Sequence, residues 1–455
     1  MNTTLHEDRL GTEKMLPLIL KMTMPAVAAQ IINLLYSIID RVYIGHIEGI
    51  GTNALAGVGV TSSTIILITA FSAIVGIGGA PLASIALGQG NRERAEKILG
   101  NGAMLLVIFT IVTMVVTYGF MDKILYATGA SDNTIGFAND YLNTYLIGTI
   151  FVLISTGLNT FINVQGRPSI AMWAVIIGAV LNISLDPLFI FTFDMGVRGA
   201  ALATVISQFV SALIIILFLT SKKATLKLTL SNMKLRRRVV GGIMALGFSP
   251  FIMASTEAIV GFVLNGSLKY YGDIHISAMA IIQSALLFVS VPITGFSQGF
   301  MPIIGYNFGH NYMDRVKECF KIVLIIMTSF NFILITTMII IPHHVSHIFT
   351  NDGELIMLLQ KFMPIFFFGM TLFGVQRTCQ SMFIALGQAK ISIFIAILRK
   401  IILLIPLALI LPNYIGVEGI YLAESISDAT AAICCAIIFF IAFPRIVRKG
   451  AKVNP

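Results

Sequence analysis

Charged residues are scarce in this chain. Asp, Glu, Lys and Arg make up 11% of its 455 residues, whereas soluble domains carry about 25%. Hydrophobic residues make up 57% of the sequence, and the mean hydropathy is +0.91. The shortage of charge excludes an ordinary soluble domain, and the long apolar runs predict a polytopic membrane protein.

Residues that bind zinc are also few. The four cysteines have no CxxC spacing, so neither a disulfide framework nor a zinc site is expected: Cys319, Cys379, Cys434 and Cys435. The histidines His343, His344 and His347 have HHxxH spacing, but they lie in a link between apolar stretches with no cysteine nearby. We therefore favour a solvated loop over a metal site.

Basic residues are concentrated in alternate links between the apolar stretches. The formal net charge is +9, and twenty-one Lys and Arg residues fall in one set of links and ends, against four in the other. The positive-inside rule explains this distribution, so binding to nucleic acid is not needed to explain the charge. It predicts a plasma-membrane protein with both termini in the cytoplasm. The polar, acidic N-terminus predicts no cleaved signal peptide.

Twelve apolar stretches are each close to the length that a helix needs to cross a bilayer. The sequence therefore predicts an all-α protein with twelve transmembrane helices, at roughly 15–39, 54–80, 99–121, 137–164, 170–193, 197–220, 239–265, 276–305, 320–342, 357–385, 391–411 and 419–443.

The two halves of the chain are similar. A shift of 221 residues places Gly78 on Gly299 and Gly88 on Gly309. The pattern predicts an N-terminal six-helix lobe (1–220), a basic cytoplasmic linker (221–238) and a C-terminal six-helix lobe (239–455). An even number of spans per lobe makes this a parallel repeat around a central cavity. Two such bundles that rock against each other give the alternating access of a transporter, and we expect a monomer.

A carboxylate lies inside the fifth apolar stretch, in GAVLNISLDPLFI (178–190). Asn182 and Asp186 are four residues apart, so a helix places them on one face. Asp40 ends the first stretch and Thr204 lies in the sixth, and if the four converge they offer oxygen ligands to a hard cation or a path for a proton. Alternatively, Asp40 is a helix end paired with Arg41, Asp186 belongs to a structural buried pair, and Asn182 serves helix packing.

Pro25, Asp40, the run LNISLDP and the run GVRGAALAT together resemble the MATE family, the multidrug and toxic compound extrusion transporters, and especially its MepA-like bacterial branch. The resemblance covers essentially the whole chain. It implies that Asp40, Asn182, Asp186 and Thr204 bind Na⁺ or carry H⁺, and that the first helix bends at Pro25, where a backbone hydrogen bond is missing. It implies a coupling ion and no cofactor.

The second half differs from another branch of that family, which uses acidic residues on spans 7 and 10. Span 7 carries Glu257, but span 10 has no acid and carries Arg377. A sodium site there is therefore not expected. Glu257 either serves substrate or proton, or pairs with Arg377 or a lysine.

Spans 11 and 12 carry two bases and two acids, Arg399, Lys400, Glu424 and Asp428. Equal numbers of opposite charges on neighbouring spans favour an internal ion-pair cluster over a substrate site.

Polar or soft residues on spans 1, 2, 7 and 8 are the candidates for contact with a substrate. Gln30, Asn33 and Tyr36 recur at three-residue spacing on one face of span 1. Flexible methionines suit varied aromatic cations. Candidates on the opposite side of the cleft are Met253, Glu257, Met279 and Gln283.

The preferred function is an antiporter, not an enzyme, that exports amphipathic, often cationic drugs in exchange for H⁺ or Na⁺. A flippase for a lipid-linked saccharide is an alternative with the same two-bundle plan, but it predicts a cavity with several cationic side chains. An intramembrane transferase is the third alternative. It needs Asp-rich or His/Asp motifs, and neither a DDxxD nor an HxxxxD cluster lies on the inner links.

Overall fold

A computed structural model describes residues 9–450, apart from the side chains at positions 258, 262, 265 and 273. The first eight residues, for which the sequence predicts no cleaved signal peptide, and Lys452 of the basic C-terminus lie outside the described residues.

The described chain is almost entirely helical. We label its helices in chain order: α1 Met15–Gly45, α2 Gly51–Gly88, α3 Arg92–Ala127, α4 Ile135–Ile147, α5 Thr149–Val164, α6 Pro168–Pro187, α7 Gly196–Thr220, α8 Arg237–Leu268, α9 Asp273–Gly309, α10 Met313–Ile340, α11 Pro342–His347, α12 Gly353–Phe368, α13 Phe373–Ala385, α14 Ala389–Ile397, α15 Ile405–Ile410, α16 Pro412–Ile415 and α17 Glu418–Lys449.

Eleven helical segments of the described chain are long and apolar enough to cross a membrane. A twelfth span results if α4 and α5, which meet at an angle of 59°, are counted together. The prediction of an all-α protein with twelve membrane-spanning helices is confirmed. Several helices extend beyond the predicted apolar stretches, as α2 does from Gly51 to Gly88.

The bend between α4 and α5 lies at Gly148. A side chain at this position would overlap the methyl groups of Val205 on α7. Glycine therefore allows α7 to lie against the bend, which brings the helix that carries Thr204 into the interior of the first half.

Glycines also bring the two halves into direct backbone contact. A Cβ atom at Gly78 on α2 would lie 2.6 Å from the Cα atom of Gly247 on α8, and one at Gly88 would lie 3.0 Å from the Cα atom of Gly309. Nearby, the Ser84 hydroxyl donates to the backbone carbonyl of Pro302 across 2.7 Å. Because apolar side chains gain little by leaving lipid, such close approaches hold membrane helices together.

The segment between α7 and α8 packs back on α3. The Asn101 amide donates to the carbonyls of Asn232 at 3.0 Å and Lys234 at 3.1 Å, and its oxygen accepts from the backbone N–H of Arg236 at 2.7 Å. The link is therefore anchored to the first half. The division into lobes 1–220 and 239–455 stays a prediction.

We predict that Gly247→Ala destabilises the protein. Its Cβ atom would lie 2.5 Å from the Cα atom of Ile74, and overpacking of this kind costs about 1–3 kcal/mol of unfolding free energy. The midpoint of thermal unfolding in detergent should fall. Gly241→Ala on the same helix is the control, since nothing lies within 4 Å of its Cβ position. Equal midpoints for the two variants would contradict this packing.

Candidate functional site

The candidate site begins at the end of α6. Pro187 closes this helix, and the chain continues as one wide π-helical turn, Leu188–Thr192. Proline has no N–H to donate to the preceding turn, which explains a break in the regular helix here. Asn182 and Asp186 occupy the last turns before the break, and both are fully buried, with exposed fractions of 1% and 0%.

Helix α7 approaches this turn closely because of two glycines. A Cβ atom at Gly199 would lie 2.7 Å from the carbonyl carbon of Phe189 in the π-helical turn. Gly178 leaves room for Ser211, whose hydroxyl donates to the carbonyl of Ala174 across 2.9 Å. These contacts place Thr204 of α7 opposite the polar face of α6.

The Asn182 amide joins the two helices. Its nitrogen donates to Asp186 Oδ1 and to Thr204 Oγ1, both at 3.3 Å. The oxygen of the same amide and Asp186 Oδ2 are buried without a hydrogen-bond partner. Buried polar atoms are normally satisfied, so these two oxygens require a proton, a cation or water.

Asp40 adds a second carboxylate. It lies on α1, which packs along α6, and it lines the same cavity as Asn182 and Thr204. Helix α1 continues to Gly45, so Asp40 is not a helix end, and its Oδ1 atom is buried without a partner. The neighbouring Arg41 is exposed and donates to the Ser62 hydroxyl at 3.5 Å.

The four predicted cation-site residues therefore lie on three neighbouring helices, α1, α6 and α7: Asp40, Asn182, Asp186 and Thr204. The donor set contains two carboxylates, an amide and a hydroxyl. Oxygen atoms of this kind suit a hard monovalent cation. The same pair of acids can also take up one proton, because two close carboxylates repel each other when both are ionised.

A cavity of about 530 Å³ lies beside this site. Its lining includes Asp40, Asn182 and Thr204, and the predicted substrate residues Gln30, Asn33 and Tyr36. The walls come mostly from first-half helices. Gln298 on α9 reaches in from the second half, and its side-chain oxygen accepts from Gln30 Nε2 at 3.1 Å.

The four second-half candidates for substrate contact are not among the described residues that line this cavity. Met253 accepts a hydrogen bond from Gln380 Nε2 at 3.2 Å through its sulfur, and Met279 is buried in the apolar core. Glu257 and Gln283 are exposed.

Several polar residues of the cavity were not predicted from sequence. Tyr141 and Tyr145 on α4 line it with Gln208 on α7, and the Gln208 side-chain oxygen accepts from the Ser155 hydroxyl at 2.5 Å. Spacing offered a signal in both cases, because Gln208 is four residues after Thr204 and the tyrosines are four apart.

The second half contains the predicted ion pairs, and the second oxygen of each acid, Glu424 Oε2 and Asp428 Oδ2, is buried without a hydrogen-bond partner. Arg399 Nε lies 2.5 Å from Asp428 Oδ1, and Lys400 Nζ lies 3.0 Å from Glu424 Oε1. The bases lie in a π-helical segment, Leu398–Leu404. Their side chains are at most 12% exposed, so each charge depends on its partner.

Arg377 belongs to the edge of this cluster. Its guanidinium lies 5.8 Å from the centre of the Phe373 ring, and that of Arg399 lies 5.2 Å from the same ring. Arg377 donates to the Thr294 hydroxyl at 3.3 Å. Glu257 does not form an ion pair within 4.0 Å with Arg377 or any other base in the described part of the chain.

The histidine triplet lies on the short helix α11, so the expected loop is helical here, and all three histidines are exposed. His343 Nδ1 lies 2.5 Å from Gln360 Nε2, and the rings of His343 and His347 are 4.5 Å apart. Across residues 9–450, no group of three or more His, Cys, Asp or Glu side chains is placed to hold a metal ion.

Comparison with known proteins agrees with this arrangement. The MatE family model matches residues 25–188 and 250–410, one match in each half. The multidrug export protein MepA of Staphylococcus haemolyticus is 25% identical over 421 residues, which cover 92% of each chain.

Solved structures show the same fold. The outward-facing conformation of a multidrug resistance MATE family transporter of the MOP superfamily has a TM-score of 0.87 and 21% identity, and the match covers 94% of this chain and 96% of that one. A MATE crystal structure in the bent conformation has a TM-score of 0.88 and 22% identity, with 99% of both chains covered.

We predict that Asp428→Asn is strongly destabilising. It leaves the buried Arg399 guanidinium without a counter-charge, which costs about 3–5 kcal/mol of unfolding free energy. The double variant Arg399→Met/Asp428→Leu should be far closer to the wild type, because it removes both charges. Thermal unfolding in detergent measures both.

The matched control for this substitution is Asp140→Asn. Asp140 pairs with Arg198 at 2.7 Å, but both side chains are at least 40% exposed, so the change should cost no more than about 1 kcal/mol. A loss of stability as large as that of Asp428→Asn would show that burial does not set the strength of the Arg399 pair.

Proposed function

The chain belongs to the MatE family, and from that premise we propose that it is a multidrug efflux transporter that exchanges amphipathic organic cations for H⁺ or Na⁺. The observation that carries the proposal is the set of buried, partnerless oxygens of Asp40, Asn182 and Asp186 beside a cavity of about 530 Å³. A volume in this range accommodates a drug-sized molecule.

The proposed cation site consists of Asp40, Asn182, Asp186 and Thr204. When a cation or proton arrives, it neutralises negative charge that otherwise attracts a cationic drug in the same cavity. The two ligands therefore compete, and each is released when the other binds. Such exchange needs no cofactor and no chemical change in the substrate, which distinguishes the proposed transporter from an enzyme.

The proposed hinge is Pro25 in α1. On either side of it, α1 lies against α9 through two glycines: a Cβ atom at Gly295 would lie 2.6 Å from the Val27 Cα atom, and one at Gly299 would lie 2.6 Å from the Met22 carbonyl oxygen. A bend at Pro25 thus changes contacts with the second half. This links Asp40, on the same helix, to the relative position of the two lobes, and supports alternating access.

For the drug we propose contacts with Gln30, Asn33 and Tyr36. These residues combine an aromatic ring with amide groups on the wall formed by α1, which suits a flat organic cation. Contacts with Met253, Glu257, Met279 and Gln283 stay predictions for the opposite side of the cleft.

The flippase alternative is less well supported. A phosphate-linked saccharide requires several cationic groups in its path, and Arg41 is the one cationic side chain among the described residues that line the cavity. Two largely buried basic side chains in the second half are instead paired with acids, Arg399 with Asp428 and Lys400 with Glu424.

We propose that the protein is a multi-pass plasma-membrane protein with cytoplasmic termini, as the basic links predict. In this orientation the glycine contacts at the ends of α2 and α9 lie on the cytoplasmic side. The described structure is then one in which the two lobes are closed towards the cytoplasm.

We predict that Asp186→Asn abolishes coupled export. The variant keeps the volume of the side chain and the hydrogen-bonding face of α6 but loses the negative charge. Gradient-driven export should therefore fall at least about tenfold, because the free energy that couples two binding sites is typically about 1–3 kcal/mol. Transport of a fluorescent organic cation in proteoliposomes, under separately imposed Na⁺ and pH gradients, measures this and identifies the coupling ion.

Ser184→Ala on the same helix is the control, because Ser184 is exposed and donates to the carbonyl of Val180. It should transport normally. Full gradient-driven transport by a normally folded Asp186→Asn protein would remove Asp186 from the coupling site.

A further inference from the structure

A second cavity, of about 540 Å³, lies at the end of the bundle where the two halves meet. The first half contributes the last turns of α2 and the first turn of α3. The second half contributes Phe308 near the end of α9, the turn after α13 at Gln388, and the last three turns of α17. In the proposed orientation this is the cytoplasmic side of the membrane.

The charge of this cavity has one sign. Its lining contains three basic side chains, Arg94, Arg445 and Lys449, and no acidic side chain among the described residues. Arg445 and Lys449 are four residues apart on one face of α17, and both are exposed. The cationic drugs proposed for the first cavity would be repelled here, whereas a phosphate would be attracted.

The rest of the lining is apolar. Branched aliphatic side chains from three helices line the cavity and are partly or fully exposed: Leu82, Ile85, Ile391, Ile438, Ile441 and Ile446. A free phosphate in water would gain nothing from these walls. A hydrocarbon chain attached to the phosphate would bury them.

We infer that this cavity binds an anionic phospholipid of the inner leaflet, with its phosphate between Arg94, Arg445 and Lys449 and part of an acyl chain against the aliphatic walls. Basic pockets between membrane helices on the cytoplasmic side have the chemistry that such headgroups need. The inference goes beyond the proposed function and takes from it the orientation in the membrane and the movement of the two lobes.

The position of the site gives the lipid a role in the conformational cycle. Arg94 belongs to the first half, and Arg445 and Lys449 to the second, so separation of the lobes on this side would dismantle the site. A ligand that binds one state better shifts the population towards that state. Anionic lipid therefore stabilises the form that is closed to the cytoplasm.

The test is native mass spectrometry of the purified chain titrated with phosphatidylglycerol, or with phosphatidylcholine of the same acyl chains. The wild type should prefer phosphatidylglycerol. Arg445→Gln/Lys449→Gln should bind it about twenty-fivefold more weakly, since each cation near an anionic lipid contributes roughly fivefold. Arg94→Gln, on a different helix, should lose about fivefold.

The control, Arg238→Gln/Arg448→Gln, also removes two exposed positive charges, but both residues lie outside the cavity lining. It should bind as the wild type does. Any one of three results would overturn the inference. The control could weaken lipid binding as much as Arg445→Gln/Lys449→Gln does, the wild type could bind phosphatidylcholine as tightly as phosphatidylglycerol, or millimolar glycerol 3-phosphate could displace the lipid. Drug export is measured separately in one fixed lipid mixture, so loss of export with intact lipid binding counts against the proposed function alone.

Discussion

Carboxylates buried in the membrane-spanning helices are the constraint on which the rest of this structure depends. Inside a bilayer no bulk water satisfies them, and an ionised carboxylate there is costly. The two halves of the chain differ in the partners that they provide for these carboxylates. In the second half, Asp428 and Glu424 receive permanent cations from Arg399 and Lys400. In the first half, Asp186 receives a hydrogen bond from the Asn182 amide and has no cationic partner among the described residues. The proposed exchange of a cation depends on this difference.

Close helix packing connects the proposed cation site to the interface between the two halves of the chain. Glycine is the residue that permits these contacts, because it lets backbones approach within the length of a side chain. At Gly199 it sets the helix that carries Thr204 against the π-helical turn, and at Gly295 it sets α9 against the helix that carries Pro25. In the proposed mechanism, a change at the cation site is transmitted through this packed backbone, because packed interfaces move between discrete arrangements and do not deform gradually.

Much of this could be predicted from the sequence, for reasons specific to membranes. Hydropathy predicted the twelve spans, because the thickness of the bilayer sets the length of an apolar helix. The placement of Lys and Arg predicted their orientation, which stays a prediction. The spacing of Asn182 and Asp186 gave their common face, since a helix fixes that geometry. Partners from other helices were harder. Thr204 was a candidate from its place in the sixth apolar stretch, but Tyr141 and Gln208 were missed, because spacing shows which residues share a helix face and does not show which face meets the cavity. The same limit applies to Met279, whose side chain is buried in the core.

The central claim is that cation and drug compete for one region of the first half. The most direct measurement is the affinity of the purified protein for a fluorescent organic cation, titrated over a range of Na⁺ concentrations at constant pH and over a range of pH without Na⁺. The account predicts that the Kd for the drug rises steadily as one of the two cations is added, and that the added cation displaces the bound drug. A drug affinity that is constant across both titrations would contradict it.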